Sequence, residues 1–214
     1  MIGLTGGIAS GKSTVAFRLR ERGAFVADAD EVSREVMESR SVLDEVRASF
    51  GDGVFFEDGT LDRRELARLA FSTAEGAVKL NAITHPAIAA RLLELARGAE
   101  EAGFPLVFAD AALLIEAGFH NHCDGVWLVT ANEETRLKRI MERDGSSREE
   151  AENRIARQLP DSEKIPFASY IIENDGSLEE LLEKVDAGFE SELFRKLAAA
   201  ETEFEDEMEA YEEK

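Results

Sequence analysis

Ile2-Gly3-Leu4-Thr5-Gly6-Gly7-Ile8-Ala9-Ser10-Gly11-Lys12-Ser13-Thr14 is the stretch on which the reading of this chain turns. Ile2–Thr5 is a short apolar run ending in glycines, the pattern of a buried strand. Gly6 to Ser13 satisfies Gly-x-x-x-x-Gly-Lys-[Ser/Thr]. Glycines in such a loop let the backbone turn with its N–H groups inward, where they bind phosphate oxygens. A helix starting near Ser13 adds its positive dipole end. In that arrangement Lys12 reaches the β- and γ-phosphates and the Ser13 hydroxyl ligates Mg²⁺. Strand before and helix after is the context the motif demands, so the loop Gly7–Thr14 is expected to bind a nucleoside triphosphate. The loop by itself does not say what is done with it.

Outward from the loop, Ser13 to Arg22 reads as a helix closed by Gly23, and Ala24–Ala27 as a second strand. Strand, glycine loop, helix, strand opens a βαβ unit, which implies an α/β fold with a parallel sheet flanked by helices. From Glu31 to about Ala99 the periodicity is mostly helical, with a turn-rich patch at Gly51–Gly59. Leu80–Leu95 is the longest helical stretch and carries Pro86 near its middle; His85-Pro86 also reads as helix punctuation, since proline suits a first helical turn. Strands return at Leu106–Ala109 and Val126–Thr130, with Trp127 a core residue, and Tyr170–Ile172 is the last strand. Glu133–Arg143, Arg148–Gln158 and a closing Leu178–Leu197 are helical.

Composition narrows the function classes. With 44% hydrophobic residues in 214, the chain can bury a core without staples. Asp plus Glu number 45 against 25 Lys plus Arg, a formal charge of −20. That balance argues against sequence-independent nucleic-acid binding and against anionic membrane surfaces. A single cysteine, Cys123, excludes an intrachain disulfide framework and fits a reducing compartment. The start lacks the pattern of a secretory signal and no stretch approaches 18 uncharged apolar residues, so a cytoplasmic protein is expected. The tail Glu201–Lys214 holds eight acids and one lysine, the composition of a solvated tail or frayed helix. Phe204, Met208 and Tyr211 have the spacing that a docked helix would use.

Three further groups carry chemistry. Asp28 and Asp30 follow the second strand, two residues apart, so in extended chain they point the same way. Ligands bind beyond the carboxyl ends of such strands, where a carboxylate can take a proton or hold a metal; the competing role is helix N-capping. Asp110 ends the run Leu106–Ala109 and stands as a metal-side carboxylate or as a polar strand end. Arg136, Arg139 and Arg143 share one helical face, and like charges stacked so call for an anion, as in an arginine lid over phosphates, or for ion pairs with Glu142 and Asp144. His120, His122 and Cys123 lack the companions that a zinc site needs. No Asn-Lys-x-Asp and no Asp-x-x-Gly occurs, which disfavours a GTP-dependent switch.

Taken together, these residues resemble the dephospho-coenzyme A kinases along nearly all of 2–185. The loop Gly3–Thr14 has the family's form, with Ala9 where glycine is common. Asp28-Ala29-Asp30, Asp58-Gly59-Thr60-Leu61-Asp62-Arg63, His85-Pro86, and Asp110 with Leu113-Leu114-Ile115-Glu116 are similar to family elements. Arg139, Arg143-Asp144, Gln158 and Asn174 follow the lid and closing patterns. Departures are Ala112 for proline, Arg136 for glutamine, Ile165 for arginine and Ser169 for aspartate.

The resemblance implies a P-loop kinase of three parts: a core of 1–30, 100–139 and 168–197, a helical acceptor-binding insert 31–99, and a small lid 140–167, followed by the acidic tail 198–214. It implies ATP with Mg²⁺, dephospho-CoA as acceptor and phosphorylation of its ribose 3′-hydroxyl. On that reading Asp30 is the base, with Lys12 and Arg143 catalytic and Arg139 on the nucleotide. Asp28, His85 and Leu113 contact the acceptor, and Ser13 with Asp110 serves the metal. A monomer is expected. Other small-molecule P-loop kinases would share the loop and arginine lid but not the His85-Pro86 and Asp28–Asp30 elements.

Overall fold

The computed structural model describes the backbone of residues 1–212, and the side chains of that span except 200 and 203–212. The expectation of a solvated rather than docked tail rests on Phe204, Met208 and Tyr211, whose side chains lie outside the described residues.

In chain order, β1 (Ile2–Gly6), the phosphate-loop segment and α1 (Lys12–Glu21) lead into β2 (Phe25–Asp28). Then come α2 (Ala29–Val36), α3 (Arg40–Phe50), α4 (Arg63–Ala70) and α5 (Ala74–Glu101). β3 (Val107–Asp110) and β4 (Gly125–Thr130) follow. α6 (Glu133–Asp144), α7 (Arg148–Ile155), the short α8 (Asp161–Lys164), β5 (Tyr170–Glu173) and α9 (Leu178–Glu212) complete the chain. The sheet order is β2-β3-β1-β4-β5. β1 pairs in parallel with β3 and β4, and β4 with β5, so β1 is the central strand and is buried at every position.

Parallel strands covered on both faces read as nearly continuous apolar runs, which is why short segments sufficed to find them. One face carries Ile2, Leu4, Phe108, Trp127, Val129 and Ile172, packed against Val15 and Leu19 of α1 and Leu181, Val185 and Phe189 of α9. Trp127 is fully buried, edge-on to Phe108 with ring centres 5.2 Å apart. Truncating it to alanine would cost about 3–5 kcal/mol.

Chain contacts divide the molecule into one unit of Met1–Val26 with Ala99–Lys214 and a second of Ala27–Gly98. The second unit has its own core of Val42, Val46, Val54, Leu66, Ala70 and Leu80. Its turn-rich patch is a 3₁₀ turn at Asp52–Val54 and an antiparallel bridge between Phe55 and Leu61.

Four local expectations need correction. Asp28 and Asp30 do not alternate in extended chain: Asp28 Oδ1 accepts from the backbone N–H of Asp30 at 2.8 Å and of Glu31 at 3.3 Å. That cap turns the chain into α2 at once, so Asp30 sits in a first helical turn. His85-Pro86 does not begin a helix, because Pro86 lies inside the 28-residue α5. Both Pro86 and Ala82, whose carbonyl loses its intrahelical donor, are exposed, so water can take that carbonyl. The helix after Ser147 ends at Ile155 rather than Gln158. α9 runs past Leu197 to Glu212.

Candidate active site

β1 leads by α1 to one edge of the sheet, whereas β3 leads to β4 on the other side of β1. Adjacent strands whose connections part in this way open a crevice beyond their carboxyl ends. The loop Gly7–Gly11 starts at the end of β1 in that crevice, and Asp110 ends β3 beside it, in register with Leu4. Ala111 N–H donates to the Leu4 carbonyl at 3.0 Å, which fixes the two strand ends together. Lys12 Nζ donates to Asp110 Oδ1, and Asp110 is 6% exposed. Lysine and acid therefore form one charged unit at the mouth of the loop.

A cavity of about 790 Å³ is lined by Gly6–Thr14 together with Arg139, Arg143, Gln158 and Asn174. That is the size range of small-molecule sites. Ser13 lies on its wall with an exposed side chain.

The loop's shape is imposed from outside. Arg136 Nε donates to the Ile8 carbonyl at 2.9 Å. Arg139 Nη1 donates to the carbonyls of Ala9 at 3.3 Å and Ser10 at 3.5 Å, while its Nη2 donates to the Asn174 carbonyl at 3.0 Å. Asn174 Nδ2 donates to the Ser10 carbonyl at 2.7 Å. Three successive carbonyls are thus held by side chains from α6 and from the end of β5, which fixes the peptide planes of the loop, as an anion nest requires. Ala9 takes φ +62°, in the left-handed region that glycine favours.

Of the three arginines expected to form a lid, two have another job. Arg136, which is buried, donates from Nε to the Ile8 carbonyl, and Arg139, which lines the cavity, donates to the carbonyls of Ala9, Ser10 and Asn174. Arg143 is mostly exposed on the cavity wall, where Asp144 accepts from its Nε at 2.8 Å and from its Nη2 at 3.0 Å. Asp144 also accepts from Arg154 Nη1 at 2.5 Å. The hydrogen bonds from Arg143, and secondly those from Arg154, hold the Asp144 carboxyl down at about 2.

The fold therefore gathers Gly7, Ile8, Ala9, Ser10, Gly11, Lys12, Ser13, Thr14, Arg139 and Arg143 on one cavity, with Asp110 joined to it through Lys12. Leu113, half exposed after β3, is outside that lining, although its neighbour Ala112 belongs to it. Asp28, Asp30 and His85 belong to the second unit. There Asp30 is exposed at the start of α2 and His85 is half-buried within α5. Among the described residues no group of three or more His, Cys, Asp or Glu could hold a metal ion by itself, so His120, His122 and Cys123 form no such site. No helix of the described residues is long and apolar enough to cross a membrane.

Residue reading missed the loop supports. Gln158 Oε1 accepts from the Ile8 N–H at 2.7 Å, and Asn174 follows β5 directly. The signal for Asn174 was its place after the last strand, at the carboxyl end where ligands bind. Arg136 was marked by its place on the arginine face and Gln158 by the family's lid pattern, but neither signal pointed to the backbone of Ile8.

Comparison with known proteins follows the same lines. The family model described as dephospho-CoA kinase matches residues 1–180. A dephospho-CoA kinase of Corynebacterium jeikeium is 47% identical over 186 residues, covering 86% of this chain and 95% of that protein. One from Geobacter sulfurreducens is 46% identical, covering 87% and 95%. Among solved structures, a Thermus thermophilus protein superposes with a TM-score of 0.76 at 41% identity, over 90% of this chain and 96% of its own. The dephospho-CoA kinase of Campylobacter jejuni gives 0.60 at 25% identity, over 89% and 95%.

Proposed function

The chain belongs to the dephospho-CoA kinase family, and we propose that it phosphorylates the ribose 3′-hydroxyl of dephospho-CoA with ATP, the last step of coenzyme A synthesis. The observation that carries the reading is the cavity lined by the phosphate loop, with Lys12 on it paired to Asp110 and Arg143 on its wall.

Phosphoryl transfer needs little covalent chemistry from the protein, so positioning and charge stabilisation carry it. The nest of loop N–H groups holds the β-phosphate. Lys12 neutralises charge that builds between the β- and γ-phosphates. Arg143 meets the equatorial oxygens of the group in flight, with Asp144 fixing its fork. Asp30, exposed in the first turn of α2, orients the 3′-hydroxyl and takes its proton as the new P–O bond forms. The helices of 31–99, with Asp28, His85 and Leu113, bind the acceptor. The stretch 140–167 acts as the lid.

The donor set at the loop is a serine hydroxyl and a carboxylate, Ser13 and Asp110, and hard oxygen donors of that kind fit Mg²⁺. Bound there, Mg²⁺ would supply charge neutralisation at the phosphates. A single cysteine supports a reducing, cytoplasmic setting, and a monomer is the proposed state.

The deciding experiment is ADP release with dephospho-CoA present against absent, with mass spectrometry of the product. Coenzyme A is expected. Absence of product at millimolar acceptor, with phosphorylation of adenylate or gluconate instead, overturns the assignment.

A further inference from the structure

Arg136 is a charged residue at 6% exposure that does not line the cavity. Burying a guanidinium is costly, and an apolar side chain would fill the same space, so its contacts must account for it. Its Nε donates to the Ile8 carbonyl at 2.9 Å. Its fork lies so close to the Gly7 backbone that a Cβ at Gly7 would stand 2.5 Å from Nη2. From the other side, Gln158 Oε1 takes the Ile8 N–H at 2.7 Å. Both peptide groups that flank Ile8 are therefore held by side chains from outside the loop, immediately before Ala9 with its φ of +62°.

Behind Arg136 stands a charge cluster in which Asp161 and the buried Lys164, from the chain leaving α7, meet Glu116 from the segment after β3. Asp161 Oδ2 lies 3.9 Å from Arg136 Nη1. Burial pushes the Asp161 carboxyl up, while Arg136 and Lys164 pull it down. Lys164 is wholly buried with its Nζ 3.0 Å from Glu116 Oε1, and the same oxygen accepts from the Leu159 N–H at 3.3 Å. Arg136 is thus a second link, beside Gln158, between the 158–164 segment and the loop backbone, anchored by Asp161 at one end and Ile8 at the other.

We propose that Arg136 is a positioning residue for the nucleotide: it holds the Gly7–Ala9 peptides in the anion-binding conformation and so sets affinity for nucleoside di- and triphosphates without touching them. The proposal rests on the reading that this cavity takes ATP. The loop meets the β-phosphate in the ground state and in the transition state alike, so loss of the support weakens binding more than it slows chemistry.

The test compares Arg136→Ala, Arg136→Gln and Arg136→Met, with ADP binding by calorimetry in the absence of acceptor, kcat, the KM for each substrate, and Tm. Arg136→Ala is expected to weaken ADP binding and raise the KM for ATP about 10- to 100-fold, the loss expected for a hydrogen bond from a charged donor. Its kcat falls less than about threefold and the KM for dephospho-CoA stays as in the wild type. Arg136→Gln, whose amide can still donate to the Ile8 carbonyl, recovers most of the affinity. Arg136→Met fills the space without a donor and behaves like Arg136→Ala; it decides the matter against Arg136→Gln if Arg136→Ala does not fold. Arg136→Met with wild-type ADP affinity, or a fall in kcat with the KM for ATP unmoved, overturns the proposal. ADP binding is read without acceptor, so a wild type that failed to phosphorylate dephospho-CoA would sink the proposed activity and leave this test intact.

Discussion

Asn174 and Ser10, 164 residues apart, are joined by one hydrogen bond: Asn174 Nδ2 donates to the Ser10 carbonyl at 2.7 Å, with both residues buried. The bond ties the end of β5 to the phosphate loop across the width of β4. The same amide nitrogen occupies the place where a Cβ on Gly11 would go, and Gly11 has φ +100°. Close approach and backbone conformation both require glycine there.

Gly11→Ala is accordingly expected to weaken ADP binding by about 10- to 100-fold, the equivalent of the roughly 1–3 kcal/mol that such backbone strain costs. Adding Asn174→Ala removes the collision but not the strain, so the double variant stays weak. Calorimetric titration of both variants checks this, and wild-type affinity in the double variant would mean that the collision alone matters.

Arg143→Ala is expected to lower kcat by about 10²- to 10³-fold, the usual loss for one donor to transition-state charge. Tm should fall only by what a surface ion pair with Asp144 contributes, since the Arg143 side chain is mostly exposed. Unfolding with normal turnover would instead make Arg143 a structural partner of Asp144.

Asp144 offers a pH signature. Its carboxyl ordinarily titrates at 3.8 and in the fold is held at about 2 by Arg143 and Arg154. A carboxyl so depressed stabilises the fold above its unfolded value and loses that contribution as pH falls through its folded value. The Tm difference between wild type and Asp144→Asn should therefore be present at pH 5 and close between about pH 4 and pH 2. Scanning calorimetry across that range reads it; a gap constant with pH would separate Asp144 from the linkage.

Asp28 and Asp30 now separate by role. Asp28 caps α2 through its Oδ1, so Asp28→Ala should cost about 1 kcal/mol of stability, whereas Asp28→Asn keeps an acceptor and most of the cap. Asp30→Asn retains shape and loses basicity, and is expected to cut kcat by about 10²- to 10⁴-fold with ATP affinity little changed. Near-normal turnover in Asp30→Asn at saturating substrate removes it from the mechanism.

Cys123 should be a poor nucleophile. Burial, with Asp124 adding to it, pushes its thiol from 9.0 up to about 11. At pH 8 that leaves about 100-fold less thiolate than an unshifted cysteine. Iodoacetamide should modify the native protein slowly and the denatured protein readily, followed by intact mass; equal rates would show that the site is open.

The strand-loop-helix opening was legible from residues 2–22 because each step is a local rule. An apolar run buries, glycines turn, and lysine with serine serves phosphate. The parallel sheet followed from the same segment, and β1, β3 and β4 appeared as apolar runs because both their faces are covered. The resemblance added the acceptor and the reaction, since the distant elements that carry it have meaning only as a set.

Tertiary structure alone decided what each polar residue near the loop does. Arg136, Arg139 and Arg143 are equivalent on a helical wheel, yet packing sends the first two under the loop to its carbonyls and leaves the third on the cavity wall. Periodicity reports which face a residue shares, and it carries no information about which backbone group another segment brings to that face. The extended-chain alternation read for Asp28 and Asp30 gave way to the other role weighed for them: the N-cap, formed by hydrogen bonds from Asp30 and Glu31 to Asp28, turns the strand into a helix within one residue. The sequence by itself determined the phosphate-binding opening and the sheet that presents it. The supports that give the loop its shape, Arg136, Gln158 and Asn174, come from segments more than a hundred residues away, and only folding brings them to Ile8 and Ser10.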